Sequence, residues 1–191
     1  MTNIVDYTYF RNRLQIANLQ STTDTDVKDY LASLITDCQY NFLNGILGAA
    51  LYVDFKAWYE TVPTPDPLSP FYNLLNGEVF EDENGNTWNW IGLKNEQKLS
   101  PLANFVYYTF QELNFTQTTS AGEVRSKADN SRTAMPLQKM IEVWAEMVDW
   151  LKAYYQYMKK YFGITGEGDW AKFHLCFLQG NYANKVNFLD A

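Results

Sequence analysis

Few residues in this chain are equipped for chemistry. The single histidine, His174, lies in the apolar stretch Lys172–Phe177, with Cys176 two positions on. A Cys–His nucleophile pair needs the two side chains to meet, and on a helix residues two apart point about 200° away from each other. A core histidine bonded to a backbone carbonyl is the better reading. Zinc takes three or four N or S ligands, and His174, Cys176 and Cys38 are the whole scattered supply. Asp82, Asn84 and Asn86 alternate as in a calcium loop. Gly85 comes too early for one, however, and Leu93 stands where a bidentate glutamate belongs. A turn is therefore expected there. The glycines of 163–168 follow a helix pattern, lack a lysine and open no strand–loop–helix unit, so they form no phosphate cradle. No serine sits in a nucleophile elbow. Asp24, Asp26 and Asp29 suit the solvated start of a helix, and Glu142, Glu146 and Asp149 fall off an apolar stripe, as a solvated face would. Asn114-Phe115-Thr116 matches a glycosylation sequon, which has meaning only in a secreted chain. No catalytic, cofactor or metal residue is assigned, and a non-enzymatic role is expected.

Bulk composition narrows the classes further. The 191 residues suit one domain with a sizeable core. Aromatics are abundant, with 6 Trp, 14 Tyr and 12 Phe, more than one core holds comfortably, so many rings are expected at half-buried boundaries or contact surfaces. Net charge is −7, which argues against a large nucleic-acid footprint but does not exclude a channel that DNA passes without sticking, since like charge repels phosphate. Two cysteines in apolar settings read as buried thiols of a reducing compartment. The N-terminal residues lack the basic and apolar regions of a signal peptide. No apolar run reaches the roughly 20 residues of a membrane span, so a soluble protein made in the cytoplasm is expected, with no membrane partner.

The elements follow from periodicity. Tyr7, Phe10 and Leu14 have helical spacing, followed by a short extended stretch through Ile16 and Leu19. Thr23 and Asp24 are N-cap candidates for an amphipathic helix whose stripe is Val27, Tyr30, Leu31, Leu34, Ile35, Cys38 and Phe42. Gly45 and Gly48 are expected to interrupt it, and a second helix, 49–60, to fold back on the first. Four prolines in residues 61–70 predict a stiff surface connection. Asn84-Gly85 between β-prone runs predicts a small β-hairpin at about 79–90. Ser100-Pro101 starts a helix with Leu102, Phe105, Val106 and Leu113 on its buried face. Pro136 starts the longest helix, about 136–162, with Met140, Trp144, Met147, Leu151, Tyr154, Met158 and Tyr161 as one row and Ile141, Val148, Tyr155 and Phe162 as a second. The fold class expected is mainly α: a helical bundle around that central helix, with the hairpin, an extended arm at 118–134 and an extended tail at 180–191, all in one domain over 1–191. The arm contains no aromatic side chain and only Val124 as a sizeable apolar one, so it cannot offset its ordering entropy by burial.

Several stretches in this order (Asp6–Leu19, Tyr30–Phe55, Leu74–Leu93, Ser100–Leu113 and Thr118–Ala134) make the chain resemble a family of tailed bacteriophages and prophages. Its members are either uncharacterised or assigned as head–tail connector (neck, head-completion) proteins, and the pattern runs from Asp6 to about Trp150. The resemblance implies a structural virion subunit, located in the neck, that assembles as a ring, commonly twelvefold, beneath the portal protein. Such a ring docks tail or neck proteins and lets genomic DNA pass. In that setting the arm, with Glu123, Val124, Arg125, Lys127 and Arg132, is an expected inter-subunit or portal contact. The hairpin tryptophans Trp88 and Trp90 form a second expected surface. The tail residues Tyr182, Val186, Phe188 and Leu189, nearly alternating, form a third that suits strand addition to a partner. The competing expectation is a monomeric binding module whose aromatic hairpin holds a glycan or peptide.

Overall fold

The computed structural model describes residues 1–16, 25–61, 66–119, 122–125 and 137–163, with the side chains of 25, 26, 115–125 and 137 outside that description. Thr23, Asp24, Leu19, Lys127, Arg132, His174, Cys176 and the tail 180–191 lie outside the described residues. The fold is mainly α. Its elements are α1 (Thr25–Tyr59), α2 (Pro70–Asn76), β1 (Glu78–Glu81), β2 (Thr87–Trp90), α3 (Pro101–Phe115), β3 (Thr116–Thr119), β4 (Gly122–Arg125) and α4 (Leu137–Phe162).

The helix α4 is the long element that the apolar rows predict, and it packs on α3, β2 and α2. Met140, Trp144, Met147, Leu151, Tyr154 and Met158 are buried, as their spacing requires. The second predicted row, Ile141, Val148, Tyr155 and Phe162, is only half-buried. The deeper flank is on the other side, at Val143, Ala153 and Tyr157, because α3 and the hairpin cover that side. Asn104 touches Val143 and Glu146, while Tyr107 faces Lys139. Rising numbers on α3 thus meet falling numbers on α4, and the two helices form an antiparallel pair.

Tyrosine phenols fasten this pair to its neighbours. Tyr154 donates to the Ile46 carbonyl at 2.9 Å, Tyr157 to the Pro70 carbonyl at 2.6 Å, and Tyr161 to Glu78 Oε1 at 2.9 Å. Each ring buries an apolar body while its hydroxyl finds an acceptor. Burial holds the Tyr154 and Tyr157 phenols well above their ordinary range. Much of the aromatic excess is therefore interior riveting rather than surface.

Along α1, Gly45 does not interrupt the helix, whereas Gly48 does, with φ 72° and ψ 164°. In a straight helix Tyr40 and Tyr52 would stand about 18 Å apart, yet their ring centroids are 5.6 Å apart. Ile4 N donates to Gln39 Oε1 while the Met1 nitrogen lies 2.8 Å from Glu60. Both contacts require the run to bend back at Gly48, as the glycine spacing suggests. Tyr30, placed on the buried stripe, is instead 46% exposed and leans on Phe110.

Three further expectations need correction. Tyr7, Phe10 and Leu14 do not share an α-helix; residues Tyr7–Tyr9 and Asn12–Leu14 form two separate 3-10 turns. The proline-rich connection ends in a helix, α2, where Ser69 caps the Phe71 amide and Pro70 takes the first helical position. On α3, Leu113 is exposed and Phe105 half-buried, whereas Ala103, Tyr107 and Tyr108 are buried.

Candidate functional site

The β1–β2 hairpin forms where Asn84-Gly85 predicts it, with Glu78 opposite Trp90 and Glu81 opposite Thr87. Its two tryptophans have different fates. Trp90 is fully buried, packs with its ring centroid 5.3 Å from that of Tyr154 in a tilted arrangement, and donates its indole N–H to the Leu74 carbonyl. It is a core residue and not a contact surface, because β2 lies directly on α4. Trp88 is half-buried against the core and donates to Asp82 Oδ2 at 2.9 Å. The expected aromatic ligand surface therefore loses one of its two residues.

Asp82 organises the turn. Its carboxylate accepts from the amides of Asn84 and Asn86, from the Asn86 side chain and from Trp88. The lone pairs that a calcium ion would need are thus engaged by the turn's own donors. Those bonds, the Asn86 side chain first, hold the Asp82 carboxyl below the usual carboxylate range. A carboxyl with a depressed folded value contributes stability above its unfolded value, near about 4, and loses it as pH falls. Asp82→Asn is expected to loosen the hairpin at pH 7 and to lose that difference from wild type under acid conditions. Urea unfolding midpoints of the two chains from pH 7 down to about pH 2 check this, the gap narrowing progressively below about pH 4; a gap unchanged over that range would show that the carboxylate does not hold the turn.

The arm is not simply extended. Residues 116–119 and 122–125 pair antiparallel, Thr116 opposite Arg125 and Thr119 opposite Gly122. Among the described residues this sheet has two strands, and no described strand pairs with the outer edge of either. Glu123, Val124 and Arg125 lie on β4, while Lys127 and Arg132 fall beyond it. A helix–helix connection commonly takes about 2–8 residues; this one runs from 116 to 136 between two helices packed antiparallel.

Sequence reasoning missed one feature. Residues 8–14 and 97–99 wall a cleft of about 400 Å³ with Asn104 at its floor. Glu146 is not on a solvated face, for both its oxygens engage the Arg13 guanidinium, and Oε2 also accepts from the buried Asn104 side chain at 2.8 Å. Arg11, Arg13 and Lys98 contribute to the walls, and no carboxylate does. Asn95 shapes one wall: its side-chain oxygen accepts from Leu99 N and its carbonyl from Lys98 N. The signal in the sequence was Arg11-Asn-Arg13, whose partner on α4 is too distant in the chain for periodicity to reveal.

No family model, curated protein or solved structure matches this chain. Among the described residues, no group of three or more His, Cys, Asp or Glu side chains could hold a metal ion. No described helix is long and apolar enough to cross a membrane.

Proposed function

We propose that this chain is a structural subunit that works by being gripped by its neighbours: a head–tail connector of a tailed phage particle, forming a ring beneath the portal. The resemblance of its ordered segments supplies the particle context. The observation that carries the self-association is the β3–β4 ribbon, which follows α3 in an antiparallel helix pair and whose outer edges meet no other described strand.

A lone two-stranded ribbon is marginal in water, and an open strand edge accepts a further strand through main-chain hydrogen bonds. A second copy or the portal protein can supply that strand. Between 118 and 134 the arm carries three cations, Arg125, Lys127 and Arg132, against Glu123 and Asp129, on a chain of net charge −7. A basic arm reaching an acidic neighbour gains from that imbalance, and association steered by charge weakens with salt.

Reversing Arg125, Lys127 and Arg132 to glutamate is expected to reduce oligomer formation at least tenfold while far-ultraviolet circular dichroism stays unchanged. Native mass spectrometry, with and without a portal ring as template, reads the outcome. Oligomers of undiminished abundance in the triple variant would remove the arm from the assembly.

A further inference from the structure

We propose that the cleft between residues 8–14 and 97–99 binds a compact, multiply charged oxyanion, with Arg11 and Lys98 as its ligands and the Arg13–Glu146 pair fixing the wall behind them. Charge is the first support. Three cations and no carboxylate line this cleft on a chain in which Asp and Glu outnumber Lys and Arg, 22 to 15. Arg13 is held in place by Glu146, but among the described residues neither Arg11 nor Lys98 has a carboxylate partner. Arg11 stands 5.9 Å from the Tyr7 ring centroid, and Lys98 4.8 Å from that of Tyr9. Ring faces attract cations less strongly than an oxyanion does, so both heads have donors to give.

The second support is backbone geometry. Among the described residues the non-glycine positions with positive φ are Asn12, at 52°, and Lys98, at 59°, and both line this cleft. Such conformations persist where the surroundings over-determine them, and here the Asn95 turn fixes Lys98. Of the nearby acids, Glu146 pairs with Arg13 and offsets its charge, Asp6 accepts from the Thr8 amide and hydroxyl, and Glu96 is exposed outside the lining, so the charge left to the walls is that of Arg11 and Lys98.

Size selects the ligand. A cleft of about 400 Å³ falls in the range of small-molecule sites, roughly 300–1,000 Å³. A nucleic-acid duplex would lie across it rather than in it, against an acidic remainder. The oxyanion can arrive free, as a polycarboxylate or polyphosphate, or on a short acidic peptide segment of a partner. The site does not depend on the assembly proposed above, because binding is measured on the isolated chain.

Isothermal titration calorimetry of the full chain in low salt, with citrate, pyrophosphate and a tetraglutamate peptide in turn, tests it. Saturable one-to-one binding is expected for at least one of the three. Removal of each cation should weaken it about tenfold, in Arg11→Gln and in Lys98→Gln, with Lys98→Arg recovering most of the loss. Tighter binding of citrate or pyrophosphate identifies a free anion as the occupant, and tighter binding of the peptide a protein-borne one. Lys56→Gln/Lys152→Gln removes the same charge elsewhere. If this control weakens binding as much as Arg11→Gln/Lys98→Gln does, or if none of the three anions saturates, the cleft is not a site.

Discussion

Gly92→Ala is expected to lower the unfolding midpoint by roughly 10 °C in a chain of this size. A methyl group on Gly92 would lie 2.6 Å from the Asn76 carbonyl carbon and from the Gly77 nitrogen, and 2.7 Å from the Leu75 oxygen. Gly77, the C-cap of α2, meets this close approach from the other side, where a methyl would lie 2.7 Å from the Trp90 oxygen. Every obstructing atom is backbone, so no side chain can swing aside. Both glycines also hold left-handed φ, 93° at Gly77 and 83° at Gly92, which costs any other L-residue about 1–2 kcal/mol. Overpacking adds about 1–3 kcal/mol, and the Lys94 N to Leu75 carbonyl bond at 2.8 Å leaves no slack. Gly85 supplies the control: its φ is 79° with nothing within 4 Å. Gly85→Ala should cost only the backbone strain, about 1 kcal/mol. Thermal unfolding of the three variants side by side decides; equal losses at Gly85 and Gly92 would mean that strain alone acts and the crossing is not tight.

Trp90→Ala should cost about 4–5 kcal/mol, and Trp88→Ala about 1–2 kcal/mol. The chains differ by the same atoms, so the contrast isolates position. Trp90 is wholly enclosed, and its loss opens a cavity against Tyr154 and leaves the Leu74 carbonyl without its indole donor. Trp88 gives up one hydrogen bond to an exposed turn. Urea midpoints measure both. Should the two substitutions cost the same, the assignment of Trp90 to the core would be wrong.

The sequence disclosed the helices that carry their own pattern. Met140 through Met158 kept their spacing because α4 is long enough for periodicity to outweigh chance, and Ser100-Pro101 marked α3 without help. The same Ser-Pro signal stood at Ser69-Pro70, but the surrounding prolines obscured it, and α2 is only seven residues long. Which flank of α4 is deeper depends on what covers it, and nothing local in Val143 or Tyr157 says that α3 and β2 do. Trp88 and Trp90 alternate on one strand and look equivalent until the partner on α4 is known. Buried polar networks are the least legible feature: Glu146 meets Arg13 across 133 residues of chain, and no periodicity spans that separation. The ribbon was hidden for a different reason: its threonines favour strands, but TQTT and GEVR are too short and too polar to show the apolar alternation that reveals one.

The placement of that ribbon has a mechanical corollary. It emerges where α3 stops and before α4 begins, at neighbouring ends of the antiparallel pair. A load drawn along the shared axis is spread over every contact of the seam at once, whereas a sideways load at the ribbon pries the two ends apart and opens the contacts in turn. A partner that holds the ribbon therefore grips this subunit most firmly when the load runs parallel to the helices.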